Sequence, residues 1–203
     1  MTIIRVADFI ARAALSPLAR EADLPPWIWT SQAPDLIGAL IPHLGGAYRI
    51  DGEAAIHSSS EVEDGAQLKG PIIIGPNCFI ARTALLRGGC WLEKDCIIGP
   101  ACELKTSFLF AGSKLAHLNF VGDSVLGADV NIEAGAMVAN YRNERADKRI
   151  RLRWNYEEID TGVDKFGAIL GDHTRIGANA VIAPGAMIKP NTIIPRLSLL
   201  DQS

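Results

Sequence analysis

Residues 50–104 read IDGEAAIHSSSEVEDGAQLKGPIIIGPNCFIARTALLRGGCWLEKDCIIGPACEL, and one spacing runs through them. Ile50, Ile56, Val62, Leu68, Ile74, Ile80, Leu86, Leu92, Ile98 and Leu104 follow one another at intervals of six. Four residues after each aliphatic the chain is usually small: Ala54, Ser60, Ala66, Cys78, Ala84, Cys90, Cys96 and Cys102, with Ile72 and Phe108 as exceptions. A helix repeats near 3.6 residues and an ordinary strand near 2, so neither produces a strict six. A triangular solenoid does: each hexad is one flat side, and three sides close a coil of about 18 residues. Gly75, Pro76, Gly99 and Pro100 fit its turns. The expected fold is all-β, a single-stranded left-handed parallel β-helix with a short helical N-terminal segment and a projecting loop.

Outward from this stretch the frame changes. The next register is Leu126, Ile132 and Val138, out of phase with Leu104, and the apparent slip surrounds KLAHLNFVGD, residues 114–123. The frame then resumes at Leu170, Ile176, Ile182, Ile188 and Ile194, leaving residues 141–168 outside the solenoid, where KRIRLRW and its polar return predict a hairpin. Residues 1–46 show no hexad; FIARAAL and PDLIGALI predict short helices forming an end cap or a docking surface. The expected organisation is a helical cap over 1–46, β-helix over 47–140, an inserted loop or hairpin over 141–168, and closing coils with a tail over 169–203. Interruptions in a regular stack are where function is expected, and His117 lies in the first of them.

Composition narrows the partners. The 203 residues carry 20 Lys+Arg against 23 Asp+Glu, a net charge of −3. No basic excess is available to neutralise a phosphate backbone, so nucleic acid is not an expected partner. The N-terminus lacks a basic start followed by a long apolar run, and no stretch of about 18 apolar residues occurs. A cytoplasmic protein without a membrane segment is expected. Cys78, Cys90, Cys96 and Cys102 occupy small inward positions and form no close CxxC pair, which predicts core packing and no metal. A zinc site would need three converging histidines, whereas His43 and His57 are far from His117 in the repeat order and His173 lies beyond the insertion.

The segment AHLNFVGDSVLGADVNIEAGAMVANY, residues 116–141, resembles the GHLTYLGD, NVNIGAG and NY motifs of a known family. That family is the acetyltransferase domain of bacterial bifunctional N-acetylglucosamine-1-phosphate uridyltransferases, and more closely the matching domain of archaeal sugar-1-phosphate nucleotidylyltransferase/acetyltransferases. The similarity runs from about residue 50 to 195. It implies acetyl-CoA as co-substrate, an amino sugar 1-phosphate of the glucosamine or galactosamine type as acceptor, a role in nucleotide sugar biosynthesis toward UDP-N-acetylglucosamine, and a homotrimer with shared active sites. No counterpart of the nucleotidyltransferase domain is expected in this chain.

The resemblance carries over to individual residues. His117 corresponds to the general base that takes the sugar amine's proton, a role suited to an imidazole with an ordinary pKa near 6.5. Substrate-holding residues correspond to Arg87 in LRGG, Lys105 in ELK, Asn131 in NIEAG and Lys165 in KFGAILGD, with Lys148 and Arg149 as competing loop cations. Arg87 and Lys105 stand at the same place in consecutive coils, so both face outward together as a phosphate clamp or as two solvated charges. Asn140, Tyr141, Ala134 and Ala178 correspond to positions around the acyl donor. Three departures stand out: Phe120 replaces a substrate-holding tyrosine, Glu133 a glycine, and Ala178 a serine. They motivate an alternative, a catalytically silent trimeric scaffold or regulatory subunit.

Overall fold

A computed structural model describes residues 4–202, so residues 1–3 and 203 of the terminal segments lie outside the described residues. Short strands stack in parallel, coil on coil, as a left-handed β-helix with three faces. Face one is a 7-stranded ladder running from Glu61–Val62 through Phe79–Ile80, Ile97–Ile98, Lys114–Leu115, Asn131–Ile132 and Arg175–Ile176 to Ile193–Ile194. Faces two and three share a 13-stranded sheet, because the strands Leu85–Leu92 and Glu103–Leu109 run round the corner between them. Face two carries Gln67–Lys69, Phe120–Gly122, Met137–Val138, Val181–Ile182 and Leu199–Leu200. Face three carries Ala54–His57, Ile72–Ile74, Val125–Leu126, Ala168–Leu170 and Ala186–Ile188.

The hexad aliphatics from Ile56 to Leu104 fill the prism. Ile50 does not join them. Its strand, Tyr48–Asp51, folds back antiparallel on Ala54–His57 and leaves Ile50 58% exposed. The corners are held by residues in the left-handed region, and one column of them, Asn77, Asp95, Asp129, His173 and Asn191, has φ between 54° and 62°. Asn and Asp tolerate that conformation best among residues with a Cβ.

The apparent break around residues 114–123 is not a break. Leu115 and Val121 point into the core like their neighbours. The frame changes because two coils are each a single residue short on face three, where Leu92 pairs with Leu109 and Leu109 with Leu126, one position sooner than three full hexads would place the partner. The shift moves the small inward position from residue 108 to Ser107, then to Ser113, Asn119 and Ser124, all buried. Each polar group inside finds a partner. Ser113 Oγ donates to Gly127 O at 2.6 Å, Ser124 Oγ to Gly122 O at 2.7 Å, and Asn119 Nδ2 to Glu133 O at 2.8 Å and Ala136 O at 3.1 Å. Among the described residues no buried side-chain nitrogen or oxygen lacks one, as burial of polar atoms requires.

Phe108, freed from the interior, points outward into a second core. The outward residues of face three, Ala55, Ile73, Trp91, Phe108, Val125, Ile169 and Met187, are all apolar and buried. They meet the N-terminal segment, which lies along this flank of the solenoid and does not cap an end. Helices α1 (Pro26–Ser31) and α2 (Ala33–Leu40) supply Trp27, Trp29 and Ile37. Trp29 packs edge-on against Phe108 with ring centroids 5.2 Å apart, while its Nε1 donates to Glu21 O at 2.7 Å. The Asp172 carboxylate fastens the segment by accepting the N–H groups of Ala11 at 2.9 Å and Ala128 at 2.7 Å. The insertion contains the antiparallel strands Arg151–Trp154 and Glu157–Asp160. Among the described residues no helix is long and apolar enough to cross a membrane.

Candidate active site

His117 sits at the corner between faces one and two, and its side chain is exposed. Its carbonyl accepts the Gly135 N–H at 2.9 Å, while the Leu118 N–H donates to Pro100 O at 3.1 Å. Leu118 is left-handed, φ 56°, which turns the chain sharply beside His117. Leu197 does the same on the same corner, φ 59°, so the backbone shape belongs to the corner and not to the histidine. The column continues with Ala134, whose carbonyl accepts the Asn179 N–H at 3.0 Å, and Ala178, whose carbonyl accepts the Leu197 N–H at 3.0 Å. His117, Ala134 and Ala178 therefore lie on one edge of the solenoid.

Glu133 closes this edge. Its carboxylate receives Arg196 through Nε at 2.7 Å and Nη2 at 2.8 Å, and the Ala178 N–H at 2.9 Å. The Arg196 guanidinium, and then the Ala178 amide, hold the Glu133 carboxyl below the usual carboxylate range. Asn131 is on face one, on the ladder between Lys114 and Arg175. It lines a cleft of about 310 Å³ together with Glu133, Arg175 and Arg196.

The second group lies at the opposite edge of face two. Arg87 is stacked between Lys69 and Lys105 in register. Each of the two expected clamp cations already holds a carboxylate: Arg87 Nη2 is 2.6 Å from Glu103, and Lys105 Nζ is 2.9 and 2.8 Å from the two oxygens of Asp123. Asn140 Nδ2 also donates to Asp123. Next on the ladder is Gly122, where a Cβ would lie 2.6 Å from Asn140 Nδ2 and 2.8 Å from Phe120 Cζ. The absent side chain lets the Phe120 ring and the Asn140 amide meet over that glycine.

The chain returns from the insertion onto this cluster, with Phe166 N–H donating to Asn140 O at 3.1 Å and Gly167 N–H to Asp123 O at 2.8 Å. An open cleft of about 430 Å³ beside it is lined by Thr30, Thr106, Asp123 and Lys165. Of the competing loop cations, Lys148 Nζ lies 5.3 Å from the ring centroid of the candidate residue Tyr141, while Arg149 pairs with Asp160 at 2.8 Å.

Within one chain Asn131 thus lies on face one, while most of the other candidate residues form two groups on the edges of face two. The strand Phe120–Gly122 separates them, at about 3.3 Å per residue. Glu103, Asp123 and Arg196 join the site as partners of Arg87, Lys105 and Glu133, which no motif or period signals for Glu103 and Arg196. Asp123 is signalled, since it follows Lys105 by the same interval at which Lys105 follows Arg87, and it closes the quoted AHLNFVGD motif.

No protein-family model matches the chain. The chain is 35% identical over 160 residues to the bifunctional sugar-1-phosphate nucleotidylyltransferase/acetyltransferase of Sulfurisphaera tokodaii, covering 73% of this chain and 38% of that protein. It is 32% identical over 124 residues to the bifunctional protein GlmU of Methanococcus vannielii, covering 61% and 29%. It is 27% identical over 161 residues to GlmU of Nitratidesulfovibrio vulgaris, covering 74% and 32%. The chain therefore spans about a third of the length of the curated relatives it matches. A solved structure of AntD, an N-acyltransferase from Bacillus cereus, is 15% identical and covers 78% of this chain and 82% of its own, with a TM-score of 0.36, too low to carry an argument. By sequence the chain is similar to part of the bifunctional sugar-1-phosphate nucleotidylyltransferase/acetyltransferases, the group that its AHLNFVGD and NIEAG motifs resemble.

Proposed function

We propose that this protein transfers the acetyl group of acetyl-CoA to the amine of an amino sugar 1-phosphate. The observation that carries the reading is His117, exposed on the solenoid corner within the AHLNFVGD segment that resembles the family's motif, with Ala134 and Ala178 stacked behind it on the same edge. An ammonium has no lone pair to attack a thioester. His117 accepts the amine proton as nitrogen bonds to the carbonyl carbon; the carbon–sulfur bond then breaks and coenzyme A leaves as a thiolate that takes up a proton. Arg87, Lys105, Asn131 and Lys165 hold the acceptor, with its phosphate sharing Arg87 and Lys105 with Glu103 and Asp123. Phe120 supplies an apolar wall in place of a hydroxyl contact. Asn140, Tyr141 and the backbone at Ala134 and Ala178 receive the acyl donor.

A homotrimer brings the two edges of face two together across neighbouring chains. In its support, face two carries an apolar column, Phe120, Met137, Val181 and Leu199, in which Met137, Val181 and Leu199 are 47, 40 and 71% exposed. Four buried free cysteines suit a reducing, cytoplasmic setting. The alternative, a silent scaffold, is favoured by the ion pairs that already occupy Arg87, Lys105 and Glu133.

The test is release of free coenzyme A from acetyl-CoA with glucosamine 1-phosphate, then galactosamine 1-phosphate, comparing wild type with His117→Ala. Turnover with one of the sugars that falls about 10²–10⁴-fold in the variant supports the enzyme. No release with either sugar, from folded protein, favours the scaffold.

A further inference from the structure

Asp123 is a buried carboxylate, 5% exposed, on which two otherwise separate parts of the candidate site converge. Its oxygens accept Lys105 Nζ and, at the same time, Asn140 Nδ2. Its own N–H donates to Lys105 O at 2.8 Å, and its carbonyl accepts the Gly167 N–H at 2.8 Å, where the chain re-enters the solenoid from the insertion. Lys105 also reaches Thr106 Oγ1 at 3.3 Å, and Asp123 and Thr106 line one cleft with Lys165. Lys105 belongs to the proposed acceptor side and Asn140 to the acyl-donor side. A long lysine chain and an amide rotor are both fixed by one carboxylate, which has little freedom of its own because its backbone is tied at both ends.

We infer that Asp123 is a positioning residue that sets the Lys105 ammonium and the Asn140 amide together, so that acceptor and acyl donor are bound through one shared anchor. This rests on the proposed acyl-transfer reading. Charge-assisted hydrogen bonds of this kind are the stronger ones in proteins, and the near-burial of Asp123 strengthens them further by lowering the local dielectric. Lys105 Nζ has three donors, so it can bond the Asp123 carboxylate and a phosphate oxygen together, while Asp123 also holds Asn140.

Asp123→Asn is the informative variant. The residue is left-handed, φ 44°, and Asn accepts that conformation as Asp does. The substitution keeps the shape of the corner while removing the charge and one acceptor. Binding of coenzyme A and of glucosamine 1-phosphate is measured by calorimetry for wild type, Asp123→Asn, Lys105→Met and the double variant, alongside thermal unfolding. Both affinities are expected to fall about tenfold in Asp123→Asn with the thermal transition kept, the scale of one hydrogen bond to a charged group. In the Lys105→Met background, Asp123→Asn is expected to lower sugar phosphate affinity no further but still to weaken coenzyme A. Wild type that binds both ligands, with Asp123→Asn either binding them equally or merely unfolding earlier, overturns the inference and leaves the proposed function standing. Wild type that binds neither overturns both.

Discussion

Pro34 stands directly over Gly89: a Cβ built on Gly89 would lie 2.9 Å from the Pro34 nitrogen and 3.0 Å from the Ala33 carbonyl carbon. Gly89 has φ +96°, and it follows Arg87 at the corner where the strand passes from face two to face three. This close approach seats α2 on the solenoid beside the cleft that holds Asp123 and Lys165. Gly89→Ala is expected to cost about 1–3 kcal/mol through the combined backbone strain and the displaced helix. Chemical denaturation measures it; a curve superimposable on wild type would show that α2 is not seated through this contact.

Asn119 lies inside the prism one coil below Cys102, and its amide closes the carbonyls of Glu133 and Ala136. Removing it takes a donor from both buried carbonyls, of which Glu133 O keeps the Ala136 N–H at 3.3 Å, so Asn119→Ala is expected to destabilise by about 1–3 kcal/mol. Urea unfolding gives the value. A loss near zero would mean that water enters the prism at this level.

The Glu133–Arg196–Ala178 clasp makes a pH prediction. Because the folded-state carboxyl is held below the ordinary glutamate value of about 4.3, its contribution is fully present above that pH and is lost as pH falls through the lower, folded value. The melting temperature of wild type should exceed that of Glu133→Gln at about pH 6, and the gap should close toward about pH 3. A gap independent of pH would contradict the clasp.

Cys90 is fully buried among the inward residues, and burial pushes its thiol up to about 11. The unfolded thiol ionises near 8.5, so this site favours the folded state less as pH rises from about 8.5 toward 11. At about pH 8, an alkylating reagent followed by peptide mass spectrometry should leave Cys90 unmodified in the folded protein and label it in denaturant. Rapid native labelling would show that the coils open locally around it.

The six-residue repeat by itself determined the architecture, because an inward aliphatic and an inward small residue in every hexad can be satisfied together only by a triangular coil. The motif around His117 likewise identified the relatives without coordinates. Ile56 through Leu104 are inside for the reason that the spacing implied.

Three things were decided only in three dimensions. Two single-residue shortenings on face three were invisible as such, since a coil still closes with a residue missing when Ser107 and Ser124 satisfy their hydroxyls on backbone atoms; the sequence displayed only their summed displacement around His117. The outward stripe of Ala55, Ile73, Trp91 and Phe108 has its own coil-length period, yet its meaning depends on what covers it, and only packing against Trp27 and Trp29 identifies face three as a second core. The site's charges were legible singly and not in pairs. Arg87 and Lys105 read as two free cations in one dimension. Their partners Glu103 and Asp123 each lie about a coil farther along the chain, and become neighbours because each coil returns the chain to the same edge one strand spacing away.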